Sequence, residues 1–176
     1  MSNPLDVRFK PNTTVAALLM HEGRLLFVEE YTAQGRRLNQ PAGHVEFGET
    51  LDEACVRETR EETGLEVEVE SLVGIYQWSP PAQPGLTFLR FAFAVKATPG
   101  AAGRLGVDVH NRLHADLVPA DALGDALDEG IVRALWLSPA ELAARQAEHR
   151  SPLVPQCMED YLSGRRFPLD LIRNYE

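Results

Sequence analysis

Cysteine, positive charge and long apolar runs are all scarce in this chain of 176 residues. Its two cysteines, Cys55 and Cys157, lie too far apart for a close-spaced metal site and form no disulfide framework, which favours a reducing compartment. No apolar stretch approaches the roughly 20 residues of a membrane-spanning helix. The N-terminus also lacks an apolar run followed by a cleavage site. We therefore expect a cytoplasmic protein without a membrane partner.

Acidic residues outnumber basic ones, 26 to 17, and give a formal net charge of -9. A nucleic-acid-binding protein would normally present a basic face, so we expect no nucleic acid polymer as a partner. With 44% hydrophobic residues, the chain can build a core of ordinary size. Its length predicts one domain over residues 1–176, as a monomer or a homodimer.

Alternating strand and helix patterns predict an α/β (α+β) fold. Apolar runs at Thr13–Met20 and Arg24–Glu30 flank a short polar turn and predict a β-hairpin. The stretch 98–130 is rich in Gly, Ala and Asp and is interpreted as an insertion, with a short helix at Ala120–Leu127. Further strands are predicted at Leu65–Trp78, Leu86–Ala97 and Ile131–Leu137, and further helices from Ser138-Pro139 and from Ser151-Pro152 to Gly164.

The segment from Thr50 to Gly64 has the clearest helix pattern in the sequence. Thr50 followed three residues later by Glu53 is a capping box, which marks the start of a helix. Gly64 stands where a left-handed residue ends many helices. We predict a helix between these two positions.

One face of this predicted helix changes from apolar to acidic. Leu51, Ala54 and Cys55 define the core side, and the same stripe continues into three glutamates. Like charges at this spacing destabilise a helix, and burial would increase the cost. A hard divalent cation such as Mg²⁺ or Mn²⁺ would remove that cost. These glutamates are Glu58, Glu61 and Glu62.

A solvated acidic helix end is the simpler alternative, but it does not explain why the glutamates continue an apolar stripe. The helix dipole does not explain them either, because negative charge is unfavourable near a C-terminus. Arg57 lies four residues before Glu61, so the two side chains can form an ion pair.

The segment Gly43–Leu65, GHVEFGETLDEACVRETREETGL, resembles the sequence motif of the Nudix hydrolase family. Thr59 is the one departure, because it occupies an apolar position of that motif. The eight matching positions are Gly43, Glu49, Arg57, Glu58, Glu61, Glu62, Gly64 and Leu65.

The resemblance implies a mixed β-sheet between α-helices, with the motif as loop-helix-loop. It implies that Mg²⁺ or Mn²⁺ binds to Glu58, Glu61, Glu62 and the carbonyl of Gly43. Arg57 would orient the glutamates, and one of the box carboxylates or Glu49 would activate the attacking water. A further carboxylate often comes from a later loop, for which Asp128 or Glu129 is the candidate.

Segments outside the motif resemble the NudJ-type phosphatases of this family. That resemblance implies release of orthophosphate from nucleoside tri- and diphosphates and from hydroxymethylpyrimidine diphosphate, a precursor of thiamine pyrophosphate. The segments are FKP at 9–11, VEE at 28–30, NQPAGH at 39–44, QW at 77–78, FLRF at 88–91, RSPLV at 150–154 and YLSG at 161–164.

Four further side chains are candidates for contact with a small phosphorylated substrate. Tyr76 and Trp78 could stack on a base or pack in the core. Arg90 could contact phosphate or form a structural salt bridge, and His44 could approach substrate or stabilise a turn.

Two rival functions remain open. The enzyme could instead split a nucleoside diphosphate linked to another group, such as ADP-ribose, into two monophosphates. A non-catalytic nucleotide-binding regulatory module is the second rival, but such a module is expected to lose motif carboxylates, and here all are present.

Overall fold

The computed structural model of the chain describes residues 9–102, 116–117 and 129–175. Over these ranges the chain forms nine strands and four α-helices, joined by short loops and two single-turn 3₁₀ helices. The strands are β1 Asn12–Leu18, β2 Met20–His21, β3 Arg24–Thr32, β4 Gly35–Asn39, β5 Ala42–His44, β6 Val67–Trp78, β7 Phe88–Ala97, β8 Asp116–Leu117 and β9 Ile131–Leu137. The α-helices are α1 Leu51–Thr63, α2 Pro99–Ala102, α3 Pro139–Ala144 and α4 Leu153–Leu162, and the 3₁₀ helices are Gln146–Glu148 and Leu169–Leu171.

The strands form two sheets. In the first, the order is β5-β1-β7-β6, and the sheet is mixed because β1 and β7 run parallel while the other pairs are antiparallel. In the second, β3 pairs antiparallel with β2, β4 and β9, and β8 extends the sheet beyond β9. The predicted α/β (α+β) class with mixed β structure is confirmed.

Both sheets lie between helices. On one side Ala54 of α1 belongs to a buried cluster with Val15 of β1, and on the other Val154 of α4 belongs to a second cluster with Ala16. Since successive side chains of a strand point to opposite faces, β1 is buried on both. This double burial explains why its sequence is a continuous apolar run rather than an alternating one.

The predicted hairpin between Thr13–Met20 and Arg24–Glu30 is wrong for most of its length. Only β2 pairs with the start of β3, around a turn formed by Glu22 and Gly23 with φ of 47° and 76°. β1 instead pairs with β5 and β7 in the other sheet. Because β5 and β7 occupy the two edges of β1, no edge of β1 is left to pair with β3.

The caps of the central helix are confirmed. The Thr50 hydroxyl accepts a hydrogen bond from the backbone N–H of Glu53, whose carboxylate accepts one from the N–H of Thr50 at 2.8 Å. Gly64 ends the helix in the left-handed region at φ 70°. Ser138 and Glu141 form a second capping box at the start of α3.

Part of the stretch 98–130 is described, and β8 joins it to the second sheet through β9. The helix predicted at Ala120–Leu127 lies outside the described residues. Within the described part of the chain, no helix is both long and apolar enough to cross a membrane.

Candidate active site

Strand β5 and helix α1 bring Gly43 and Glu58 into direct contact. A β-carbon built on Gly43 would overlap the carboxylate of Glu58. The two positions are adjacent because β5 is the edge strand of the first sheet and packs against α1. Gly43 is therefore required by the position of Glu58, and not by an unusual backbone conformation.

Arg57 lies at the centre of an ion-pair cluster with Glu49, Glu58 and Glu61. Its Nε and Nη2 donate to the two carboxylate oxygens of Glu49 at 3.0 and 2.7 Å. Its Nη1 donates to Glu58 Oε1 and to Glu61 Oε2, both at 2.9 Å, and Nη2 also donates to the carbonyl of His44 at 3.0 Å. The pair between Arg57 and Glu61 predicted from their spacing is confirmed.

The predicted acidic stripe lies partly inside the protein. Glu58 and Glu62 are each only 8% exposed, whereas the side chain of Glu61 is 33% exposed. Glu62 accepts a hydrogen bond from the backbone N–H of Ala42 at 2.8 Å. Burial of two carboxylates argues against a merely solvated helix end, because charge is costly to remove from water without compensation.

Arg57 also sets the electrostatics of this cluster. Its hydrogen bonds hold the pKa of Glu49 below the ordinary value, with a further contribution from the N–H of Glu46. The carboxylates in turn raise the pKa of Arg57, chiefly through its hydrogen bonds to Glu49. Glu49 is therefore ionised and firmly paired at neutral pH.

The donor chemistry of the cluster fits a hard divalent cation, since oxygen ligands are those that Mg²⁺ and Mn²⁺ prefer. Glu58 and Glu61 already converge on one positive centre, the Nη1 atom of Arg57. Among the described residues, however, no three His, Cys, Asp or Glu side chains form a ready-made metal site. Binding an ion at this cluster would therefore need the carboxylate side chains to move closer together.

The four predicted substrate-contacting residues lie close to one another. His44 of β5 pairs with Thr14 of β1, Thr14 pairs with Arg90 of β7, and Arg90 pairs with Tyr76 of β6. Residues paired across a sheet point to the same face, so these side chains form one row. Trp78 pairs with Phe88 in the next row on that face.

Within the row, Arg90 and Tyr76 are tied to α4. Burial lowers the pKa of Arg90, which lies beside Cys157. The Tyr76 hydroxyl donates to Asp160 at 2.9 Å, and burial raises its pKa. Tyr76 thus helps to dock α4 on the sheet. Trp78 is half-buried and stacks on Phe88, with ring centroids 5.8 Å apart.

Sequence reasoning missed Thr14 and Phe88. Both stand in runs that the pattern assigns to a strand interior, and their proximity to the site depends on which strands pair. The late-carboxylate candidates gain no support, because Glu129 lies exposed in the turn before β9 and Asp128 lies outside the described residues. A role for either remains a prediction.

Comparison with known proteins agrees with this architecture. The family model described as NUDIX domain matches residues 9–157. The phosphatase NudJ of Escherichia coli strain K12 is 36% identical over 168 residues, covering 95% of this chain and 94% of that protein. A NUDIX hydrolase from Nitrosomonas europaea has 43% identity and a TM-score of 0.76, covering 94% of this chain and 98% of its own. An ADP-ribose pyrophosphatase from Streptococcus suis has 16% identity and a TM-score of 0.52, covering 95% of this chain and 97% of its own. At this identity the likeness shows a common fold alone.

The fold and the motif helix thus define a hydrolase of small phosphorylated compounds, of a class that generally uses divalent metals. The chain belongs to the Nudix hydrolase family. It resembles the NudJ phosphatases along nearly its whole length.

Proposed function

We propose that this chain is a divalent-metal-dependent phosphatase that releases orthophosphate from nucleoside di- and triphosphates and from hydroxymethylpyrimidine diphosphate. The observation that carries the proposal is the convergence of Glu58 and Glu61 on one cationic nitrogen beside the buried Glu62. The choice of phosphatase over other Nudix activities is supported by similarity to NudJ over 95% of the chain.

In this proposal Glu58, Glu61, Glu62 and the Gly43 carbonyl would hold Mg²⁺ or Mn²⁺. Such an ion would supply positive charge that offsets the phosphate charge and increases the acidity of the attacking water. Water then attacks the terminal phosphorus, the anhydride P–O bond breaks, and orthophosphate leaves together with the shortened substrate. A carboxylate of the cluster accepts the proton of the water.

Glu49 fits a positioning role better than that of general base. Both of its carboxylate oxygens accept hydrogen bonds from Arg57, and Oε1 accepts another from the N–H of Glu46. A carboxylate with a lowered pKa is also a weaker proton acceptor. We therefore assign Glu49 to holding Arg57, and leave proton transfer to Glu58, Glu61 or Glu62.

Product analysis tests the proposal most directly. The purified chain is incubated with CDP, CTP, hydroxymethylpyrimidine diphosphate and ADP-ribose, with Mg²⁺, with Mn²⁺ or with a chelator. Orthophosphate from the first three substrates, lost on chelation, is the expected result. AMP and ribose phosphate from ADP-ribose, without orthophosphate release, would establish the rival pyrophosphatase function instead.

A matched pair of variants tests the site. Glu62→Gln should lower kcat at least about a hundredfold, because the neutral amide of glutamine binds a divalent cation more weakly than a carboxylate does. Glu68→Gln is the control, since Glu68 lies on β6 and pairs with the exposed Lys96 at 3.1 Å. Full activity in Glu62→Gln would contradict the assigned metal role.

A further inference from the structure

We propose that Gln40 is a positioning residue that ties the start of β5 to α4 and so holds the backbone N–H of Ala42 on the Glu62 carboxylate. The inference rests on the proposed function, in which Glu62 is a metal ligand. It gives a role in the site to a residue outside the glutamate helix, and to α4, which contributes none of the glutamates.

Gln40 is a buried polar side chain with one of its two polar atoms unpartnered. The side chain is 0% exposed, and its Nε2 donates to the carbonyl of Val154 in α4 at 2.7 Å. Its Oε1 accepts no hydrogen bond from the part of the chain that the structure describes. A buried acceptor without a partner is costly, so an apolar side chain of similar size would suit the fold better. A residue that costs stability locally is a candidate for function.

Gln40 begins a short stretch of backbone that leads directly to the glutamates. Pro41 follows it, and the ring of proline fixes its own φ, so the stretch is stiff. The backbone N–H of the next residue, Ala42, donates to Glu62 Oε2 at 2.8 Å. A displacement of Gln40 is therefore passed on to the hydrogen bond that orients Glu62.

Strand β5 needs such an anchor because it is short and lies at an edge. It has three residues, and among the described strands only β1 pairs with it. The segment that enters α4 supports the chain just before β5, since the N–H of Arg150 donates to the Leu38 carbonyl at 2.9 Å. The hydrogen bond from Gln40 to Val154 extends this support to a point two residues before Ala42.

Gln40→Met separates a positioning role from a merely structural one. Methionine has the length of glutamine but neither of its polar atoms, so the substitution also removes the unpartnered acceptor. Loss of the hydrogen bond to Val154 costs little, because that carbonyl lies in the first turn of α4 and helix geometry gives it a second donor. The melting temperature should therefore stay within about 3 °C of the wild type. In contrast, kcat should fall at least about tenfold while KM for CDP stays within about twofold.

Hydrogen exchange provides a readout that needs neither metal nor turnover. In the metal-free protein, the Ala42 amide should exchange at least about tenfold faster in Gln40→Met than in the wild type, because its hydrogen bond to Glu62 opens more often. The affinity for Mn²⁺, measured by calorimetry without substrate, should fall about tenfold.

Gln34→Met is the matched control for this variant. Gln34 is exposed in the turn between β3 and β4, so the same substitution there should leave Ala42 exchange, Mn²⁺ affinity and kcat unchanged. Unchanged Ala42 exchange in Gln40→Met would overturn the positioning role. A large loss of stability with kcat unchanged would also overturn it, because Gln40 would then serve the fold alone.

The wild-type protein offers a second measurement if Gln40→Met does not fold. Addition of Mg²⁺ should shift the NMR signals of the Ala42 amide and of the Gln40 side-chain amide, but not those of the Gln34 side chain. Absence of a shift at Gln40 would contradict its connection to the metal ligands. Faster Ala42 exchange and weaker Mn²⁺ binding in Gln40→Met, in a chain that hydrolyses no diphosphate, would support the role of Gln40 and contradict the proposed function.

Discussion

The carboxylate of Glu58 occupies the space where a side chain on Gly43 would begin, so β5 and α1 meet there without an intervening β-carbon. The Glu58 carboxylate can rotate about side-chain bonds, whereas the backbone of β5 is fixed by pairing with β1. An added methyl group would therefore displace the carboxylate rather than the strand. Activity should be affected more strongly than stability.

Gly43→Ala tests this relationship. We expect kcat/KM to fall about a hundredfold, because small displacements of a reacting group have effects of that size. The melting temperature should fall by about 2–4 °C, since the displaced carboxylate loses its hydrogen bond to Arg57. Gly100→Ala is the control, because a β-carbon at position 100 meets nothing within 4 Å. A large loss of stability with retained kcat/KM would contradict the interpretation.

Arg57 should not be replaceable by lysine. Its guanidinium makes two hydrogen bonds to Glu49 and single ones to Glu58 and Glu61, whereas an ammonium cannot reproduce that planar geometry. Arg57→Lys should lower kcat/KM by at least about tenfold. Arg57→Met should also lower the free energy of unfolding by about 1–3 kcal/mol, because Glu58 loses a charged partner.

Arg60→Met is the control for both measurements. Arg60 lies on the same helix but is exposed, so its replacement should have a small effect in urea denaturation and in steady-state kinetics. If Arg57→Lys keeps wild-type kinetics, the planar geometry of the arginine is unimportant.

The pairing of Glu49 with Arg57 predicts a pH dependence of stability. Arg57 lowers the pKa of Glu49 in the folded state below the ordinary value of 4.5. Such a group stabilises the fold above pH 4.5 and loses that contribution as the pH falls through its folded pKa. The difference in unfolding free energy between wild type and Arg57→Met should therefore shrink from pH 7 to acid. Urea denaturation of both proteins at several pH values measures this difference in unfolding free energy. A difference that stays constant with pH would contradict the prediction.

Local features of the site could be predicted from the sequence, whereas contacts between distant segments could not. The capping box of Thr50 and the pair Arg57–Glu61 depend on spacing within one helix, so both were predictable. The link from Arg57 to Glu49 depends on how the preceding loop folds back onto α1.

Strand pairing limited the prediction in the same way. The hairpin expectation failed because periodicity shows which faces of a strand are buried and not which strands are its neighbours. The row from His44 to Tyr76 combines four strands, and its register depends on the whole sheet. Thr14 therefore appears in sequence as an ordinary strand residue.

The one departure from the family motif, Thr59, should be neutral. Its side chain is fully buried, and its hydroxyl donates to the Cys55 carbonyl four residues earlier at 2.7 Å. Since the helix also uses carbonyls at that spacing, loss of the hydroxyl leaves the acceptor satisfied. Thr59→Val should change the unfolding free energy by less than about 1 kcal/mol and leave kcat unchanged.

Thr59→Ala provides the contrast, because it removes a buried methyl group as well as the hydroxyl. We expect a loss of about 1–2 kcal/mol in urea denaturation, from the lost burial and the small cavity that remains. If valine destabilises the protein as much as alanine does, the hydroxyl and not the methyl group is what α1 requires. A fall in kcat for Thr59→Val at unchanged stability would instead connect this hydroxyl, through α1, to the positions of Glu58 and Glu62.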